Sequence, residues 1–308
     1  MVWQNCNVTI NSGDSGILYT GDTVTGALTL EFKKVHKIKY IEFKVIGITK
    51  ARWSRVMPTV PYLRVYAEKK MVLEISVNLF EEVNGIIHPG INNFQFHFNL
   101  PNGLPSTFKS SIAKVSYFIR IKCKATCNRK KIKNVPLVVM NSVDLNHLEL
   151  MKVPMIFEMT RSFPFSEKKL VIYFKTNRCF SPKQSLNFDI DINNEKGVKM
   201  RKITVTLVQK IEYTVSTGFA NEERKIIKAE HCDLSKGIKE FVRICMDVPY
   251  TPPTSVNITN PMIKISYVLR VQVIFKFHLA LYEDIPVIIS TVPVMKHQSH
   301  HSLEINCS

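Results

Sequence analysis

The chain repeats part of its own sequence about half-way along its 308 residues. The segment Lys114–Ile121 (KVSYFIRI) reappears 150 residues later as Lys264–Val271 (KISYVLRV). At the same offset, Val135–Val139 (VPLVV) returns as Ile285–Ile289 (IPVII). The units of solenoid proteins run to about 20–50 residues, so an offset of this size is that of a whole domain. We therefore expect two sister domains of one fold.

The length of the chain agrees with this interpretation. Domains commonly contain about 100–200 residues, so each half is long enough to bury a core of its own. We expect an N-domain over residues 1–150, a C-domain over 151–295 and a short, polar, disordered tail over 296–308. The linker is placed at Leu150–Pro154 and contains neither glycine nor serine. We therefore expect the two domains to be restrained rather than freely tumbling.

Hydrophobic and polar residues alternate through both halves of the chain. Examples are Phe94, Phe96 and Phe98 in the first half and Ile203, Val205 and Leu207 in the second. Strict alternation is typical of strands with one buried and one solvated face. Turn residues such as Asn102-Gly103 separate these runs, and no long amphipathic helix is evident. The sequence thus predicts an all-β fold with two tandem immunoglobulin-like antiparallel β-sandwich domains.

The net charge of +17 restricts the partners that the protein attracts. Both halves are basic, which favours nucleic acid, acidic lipid headgroups, or phosphorylated and acidic peptides. Nucleic acid is the least favoured of these, because few aromatic residues interleave with the cations on one face. No stretch approaches the roughly 18 consecutive apolar residues of a membrane span, and the N-terminus lacks the pattern of a signal peptide.

Neither the cysteines nor the histidines form a recognisable site. The seven cysteines are odd in number and include no Cys-x-x-Cys pair, so we expect free thiols in a reducing cytosol. Cys123 and Cys127 have no second half at zinc spacing, and His297, His300 and His301 lie in the polar tail. The chain also lacks the GxSxG, GxxxxGK[ST], GxGxxG and HExxH motifs. We therefore expect no enzyme, no metal and no cofactor.

Two basic runs in the first half are the candidate binding residues. The first run, placed between two strands, comprises Lys33, Lys34, Lys37 and Lys39. The second comprises Lys122 and Lys124 on the wet face of the Ser-Tyr strand, and Arg129, Lys130, Lys131 and Lys133 in the turn that follows it. One interpretation is that these are solvated loops and a polar sheet face. The other is a surface for anionic partners, to which each lysine near an anionic membrane contributes about 1 kcal/mol.

The order of several motifs in the first half resembles that of a known family. These motifs are Gly21–Gly26 (GDTVTG), Gly47–Trp53 (GITKARW), His88–Pro101 (HPGINNFQFHFNLP) and Leu104–Phe108 (LPSTF). With the Ser116-Tyr117 strand that follows, they resemble the N-domain of the arrestin-domain-containing proteins, the α-arrestins. In the second half, Phe180–Lys183 (FSPK), Leu207–Gln209 (LVQ) and Ile285–Pro293 (IPVIISTVP) resemble motifs of the C-domain.

This resemblance implies a non-enzymatic adaptor or scaffold. Such a protein would bind cytoplasmic tails of membrane proteins, phosphorylated or acidic, and anionic lipids are a further expected partner. It would link these tails to endocytic trafficking or ubiquitination machinery, from the cytoplasm and peripherally at the plasma membrane or endosomes. Arrestins use N-domain cations for anions, so the resemblance implies only the general location of the two basic runs.

The sequence departs from the family in three places. Lys183 and Ser290 stand where glycines are usual, and only about a dozen residues follow Met295 in place of a long tail. No Pro-Pro-x-Tyr motif is present, so a ubiquitin ligase is expected only as an indirect partner. The alternatives are a sorting-coat subunit similar to the arrestin-like component of retromer, and a general protein-interaction module without ligase coupling. A secreted lectin-like sandwich lacks the signal peptide and paired cysteines that it needs.

Overall fold

The computed structural model describes residues 3–11, 15–56, 62–79, 85–125, 130–232, 234, 237–258 and 261–294. Strands dominate this part of the chain, and the four-residue helix α1 (Glu149–Lys152) is its only α-helical segment. Among the residues so described, no helix has the length and apolar character needed to cross a membrane. The predicted all-β class with two tandem sandwich domains is confirmed.

The chain divides into two compact units. The first unit contains residues 1–142, 211–222 and 255–265, and the second contains 143–210, 223–254 and 266–308. The domain limits given above from the sequence remain predictions.

Strands of the first half form two sheets. The strands are β1 (Asn5–Ile10), β2 (Ile17–Tyr19), β3 (Thr23–Phe32), β4 (His36–Val56), β5 (Leu63–Asn78), β6 (Ile86–Ile87), β7 (Gly90–Asn99), β8 (Phe108–Lys109), β9 (Ala113–Ala125) and β10 (Lys130–Met140). One sheet has the order β1-β3-β7, and the other has the order β2-β10-β9-β4-β5. The short strands β6 and β8 pair with β4 and β9, respectively.

Alternation along these strands forms the core between the sheets. On β4 and β9, Phe43, Ile119 and Ile121 have no exposed surface, while their neighbours on each strand face water. The rings of Phe43 and Phe96 lie 4.6 Å apart and join the two sheets. Fully burying side chains of this size contributes about 1.5–3 kcal/mol each, which fixes the face of every strand.

The second half repeats this strand order and adds one strand to the smaller sheet. Its strands are β11 (Met155–Phe163), β12 (Ser166–Thr176), β13 (Cys179–Phe180), β14 (Ser185–Asn194), β15 (Met200–Val215), β16 (Gly218–His231), β17 (Lys239–Asp247), β18 (Ile263–Phe275) and β19 (Leu281–Ile289). The sheets have the orders β11-β12-β14-β17 and β13-β19-β18-β15-β16. In each half a short strand pairs in parallel with the last long strand, as β2 does with β10 and β13 with β19.

The repeated tyrosines have the same role in both halves. The Tyr117 hydroxyl donates a hydrogen bond to the Pro105 carbonyl oxygen at 2.6 Å, and the Tyr267 hydroxyl donates to that of Pro252 at 2.5 Å. Burial raises the pKa of both phenols, that of Tyr267 to about 12. The tyrosine of the repeat is therefore buried and neutral, and its hydroxyl fixes the preceding proline segment to the strand that carries the tyrosine.

Two positions in the motifs are constrained by the backbone around them. Lys183 has φ +68°, so a lysine occupies the left-handed conformation in which glycine is usual. Gly26 is needed for a different reason, because a Cβ there would collide with the Thr9 carbonyl oxygen and would lie 2.5 Å from the Phe96 ring. This glycine therefore permits a close approach between its strand and the neighbouring strand β1.

Candidate anion-binding site

The candidate site lies on the water-facing side of the sheet that contains β10, β9 and β4. Along β9, Arg120, Lys122 and Lys124 are half-exposed, whereas the residues between them face the core. The wet face predicted for Lys122 and Lys124 is therefore confirmed. The alternation that makes a strand amphipathic also aligns cations at every second position of β9.

Strand pairing brings the two basic runs together at one end of this sheet. Lys124 lies opposite Lys130 on β10 and opposite Tyr40 on β4. Lys39 is the extra residue of a β-bulge between Ile38 and Tyr40, so it lies beside Lys124. We call the following group the basic end: Lys33, Lys34, Lys37, Lys39, Lys124 and Lys130.

The positions of several candidates differ from those expected from the sequence. Only Lys33 and Lys34 lie between two strands, because Lys37 and Lys39 already belong to β4. Lys130, Lys131 and Lys133 were placed in a turn, but they begin strand β10. Strand β10 begins within this basic run. Lys130 faces water on one side of the sheet, whereas Lys131 and Lys133 extend past the sheet edge on the other side. Arg129 lies outside the described residues.

Lys131 and Lys133 point away from the basic end. They pair with the core residues Cys123 and Ile121, so their side chains leave the opposite face of the sheet from Lys130. Lys131 Nζ donates a hydrogen bond to the Trp3 carbonyl oxygen at 2.9 Å and lies 5.4 Å from the centre of the Trp3 ring. Lys133 Nζ donates to the carbonyl oxygen of Cys6. These two lysines therefore tie the N-terminal segment to β10.

Lys122 shares the face of Lys124, but its charge is compensated. Its Nζ lies 3.2 Å from Glu42, which also lies 3.2 Å from Lys44. Burial alone would raise the pKa of Glu42, but the hydrogen bonds from Lys122 and Lys44 outweigh burial and lower that pKa. Hydrogen bonding to Tyr40 and then to Glu42 raises the pKa of Lys122. Lys122 therefore offers less to an external anion than Lys124.

Five lysines of the basic end keep their charge available. Within the described part of the chain, no ion pair is formed by Lys33, Lys34, Lys39, Lys124 or Lys130. Tyr40 and Glu42 were not singled out from the sequence, although both fall on the wet positions of β4. Their alternation with Ile41 and Phe43 was the signal that could have found them.

Trp53 is not an exposed binding residue. Its side chain is buried and its ring stacks on that of Tyr66 with centroids 5.5 Å apart. Arg64, which was not considered from the sequence, lies over the other aromatic ring of this pair, 5.4 Å from the Tyr66 centroid. Tyr66 lies on β5, which ends the sheet order, so the stacked pair packs next to the sheet edge. The cysteines that the structure describes have free thiols.

Comparison with known proteins identifies the family. Residues 6–146 match the family model described as arrestin (or S-antigen), N-terminal domain. Residues 168–294 match the model described as arrestin (or S-antigen), C-terminal domain. Together these two ranges cover most of the chain and follow the strand order that repeats in its two halves. The chain therefore belongs to the arrestin family, and the predicted resemblance to arrestin-domain-containing proteins is confirmed.

Its relatives are distant in sequence. The chain is 22% identical over 220 residues to human arrestin domain-containing protein 5, covering 70% of this chain and 64% of the human protein. It is 25% identical over 146 residues to the bovine protein of the same name, covering 46% of this chain and 44% of that protein. Arrestin domain-containing protein 17 of Caenorhabditis elegans is 20% identical over 312 residues, covering 92% and 70%, respectively. The chain thus spans less than two thirds of the human and bovine proteins.

Proposed function

We propose that the protein is a non-enzymatic arrestin-like adaptor that binds acidic or phosphorylated cytoplasmic segments of membrane proteins at its basic end. The observation that carries this proposal is the meeting of Lys39, Lys124 and Lys130 on three adjacent strands, without a described carboxylate partner. The family membership and the names of the relatives support an adaptor role. A phosphorylated residue carries about −1.5 to −2 charges at neutral pH, so a few such residues would complement this group.

The strength of this contact is set by solvent screening. At about 6 Å in water, two unit charges interact with roughly 0.7 kcal/mol, and physiological salt with a Debye length of about 8 Å halves that value. One lysine would therefore contribute a few tenths of a kcal/mol for each unit of charge. Several lysines acting together give reversible binding that depends on phosphorylation, which is the behaviour that an adaptor needs.

Backbone pairing would supply the remaining affinity. Strand β1 ends the order of its sheet, and an extended peptide adds to such an edge by main-chain hydrogen bonds. Part of that edge is covered, because the Cys6 carbonyl oxygen already accepts a hydrogen bond from Lys133. A peptide that paired along the whole of β1 would have to displace this ammonium group.

The test uses the full chain and a peptide with several phosphoserines, followed by fluorescence anisotropy at physiological salt. Reversing two charges, Lys124→Glu with Lys130→Glu, changes four units of charge near the ligand and should weaken binding at least tenfold. The matched control, Lys168→Glu with Lys169→Glu, makes the same change on exposed residues of β12 and should alter binding less than threefold. Equal weakening by both variants would show that only net charge matters and would end the proposal.

We propose further that such binding couples the membrane proteins to endocytic trafficking or ubiquitination at the cytoplasmic face of a membrane. We propose that contact with a ubiquitin ligase is indirect, because this sequence contains no Pro-Pro-x-Tyr motif. Proximity labelling in cells tests this step. Endocytic or ubiquitination proteins should be labelled by the wild type and lost with the Lys124 and Lys130 reversal, and labelling that is identical for the two would contradict it.

A further inference from the structure

A second group of cations, which the sequence runs do not include, crosses the same sheet in a single transverse row. Lys69 on β5 lies opposite Lys50 on β4. Lys50 in turn lies opposite Lys114 on β9, and Lys114 lies opposite Lys109 on β8. Four neighbouring strands thus each place a lysine at the same level. We call Lys69, Lys50, Lys114 and Lys109 the lysine row.

All four side chains of the lysine row are exposed on one face. Lys50 is flanked on β4 by the buried residues Thr49 and Ala51, and Lys114 is flanked on β9 by Ala113 and Val115. Since successive residues of a strand point to opposite faces, both lysines project to the water side. Directly paired residues have Cβ atoms about 4.5–5.5 Å apart, so the row extends over roughly 15 Å.

The lysine row lines a surface cavity of about 550 Å³. Arg52, two residues beyond Lys50 on β4, adds a fifth cation, and Glu68 supplies the only carboxylate among the described lining residues. None of these five cations forms an ion pair with a residue that the structure describes. The cavity is therefore strongly positive, because Glu68 lies opposite the core-facing Ala51 and its carboxylate accepts a hydrogen bond from the Ser216 N–H at 2.6 Å.

Such an arrangement costs stability when nothing is bound. Like charges directly opposite on paired strands are destabilising, and the two central lysines each have a lysine on both sides. An anion with several charges in a small volume would remove this repulsion at all four positions. We propose that this cavity binds a compact ligand that carries several phosphate groups, either free in solution or as the phosphorylated headgroup of a lipid.

The shape and chemistry of the cavity favour this ligand over a nucleic acid. Single-stranded nucleic acids need aromatic side chains on which bases stack, and no described residue that lines the cavity is aromatic. Lysine ammonium groups are compact charges with three rotatable donors, which suits phosphates presented at different angles. A row of roughly 15 Å is also matched by a few adjoining phosphates without any extended chain.

This site is separate from the basic end. Lys114 and Lys124 are ten residues apart on β9, which corresponds to about 33 Å along the strand. The inference therefore does not depend on the proposed function. Each site can be tested by its own pair of lysines, one on β9 and one on an adjacent strand.

The experiment measures binding of inorganic tripolyphosphate to the full chain by calorimetry at physiological salt. We expect the tightest tripolyphosphate site to be weakened at least tenfold by Lys50→Gln and Lys114→Gln together. Two matched double variants remove the same charge elsewhere, namely Lys124→Gln with Lys130→Gln and Lys168→Gln with Lys169→Gln. These should each weaken binding at that site less than threefold.

Equal loss of tripolyphosphate binding in all three double variants would overturn the inference, because it would show that the ligand senses only net charge. Loss of phosphopeptide binding in the Lys50 and Lys114 variant, with tripolyphosphate binding intact, would overturn it as well. Vesicles that contain a bisphosphorylated lipid distinguish the source of the phosphates. Vesicle binding that is lost in the same variant identifies a headgroup, and vesicle binding that is absent from the wild type identifies a soluble ligand. Lys69→Gln with Lys109→Gln serves as a second test if the central variant misfolds.

Discussion

Neutralising one central lysine of the row should stabilise the free protein. Lys50 lies opposite Lys69 on one side and Lys114 on the other, at Cβ separations of about 5 Å. Each like-charge pair of this kind costs about 0.2–1 kcal/mol. Removing two such pairs by Lys50→Gln should therefore raise the free energy of unfolding by about 0.5–1 kcal/mol, once screening by physiological salt is included.

Urea denaturation of the full chain measures this effect through the midpoint of the first unit's transition. Lys109→Gln is the internal control, because Lys109 has one lysine opposite it in the row and should give about half the gain. Both gains should nearly vanish at about 1 M salt, where the Debye length falls to about 3 Å. A Lys50→Gln variant that is less stable than the wild type, or a gain unaffected by salt, would refute the electrostatic reasoning.

Three further predictions concern the scaffold. Lys183→Gly should raise the free energy of unfolding by about 0.5–1 kcal/mol, as measured by urea denaturation. Glycine relieves the left-handed backbone strain of about 1–2 kcal/mol, which outweighs the greater conformational freedom that glycine gives the unfolded chain. An equal gain from Lys183→Ala would contradict this reasoning. Tyr267→Phe should destabilise the protein by about 1–3 kcal/mol and by more than Tyr117→Phe, because the Tyr267 hydroxyl hydrogen-bonds to Gln209, Thr251 and Pro252 whereas that of Tyr117 hydrogen-bonds to Pro105. Equal losses of free energy in the two variants would be inconsistent with that difference. The hydrogen bonds from Arg270 lower the pKa of Asp284 to about 2, below its value of about 4 in the unfolded chain, so this stabilisation is present above about pH 4 and is lost as the pH falls toward 2. Asp284→Asn should flatten the fall in stability between those values, and an unchanged acid titration of the unfolding midpoint would count against the ion pair.

The fold was accessible from the sequence because its signals are local and repeated. Phe94, Phe96 and Phe98 alternate with polar residues, and all three are buried on β7. The repeat of Tyr117 in Tyr267 correctly predicted two copies of one design, and the structure shows that both tyrosines bond a proline carbonyl. Such periodic patterns survive in sequence because burial constrains every second residue.

The site was only partly accessible, because it depends on which strands lie side by side. The lysines at positions 37 and 39 and those at 124 and 130 are distant in the chain, and only the pairing of β4, β9 and β10 joins them. The sequence also did not show which face of the sheet each lysine side chain leaves. Lys130 and Lys131 look equivalent in sequence, yet their side chains leave opposite faces of β10. The lysine row had no sequence signal, because its four members lie in four separate segments of the chain and only strand pairing brings them to one level.

Mapping a bound phosphopeptide onto the protein tests the central claim most directly. In amide nuclear magnetic resonance spectra of the full chain, the peptide should shift the signals of Lys39, Lys124 and Lys130 more than those of residues on β12, and dephosphorylation should abolish these shifts. Largest shifts in the second unit, or shifts that persist without phosphate, would contradict the assignment of the basic end as the site where this arrestin-family protein binds its partners.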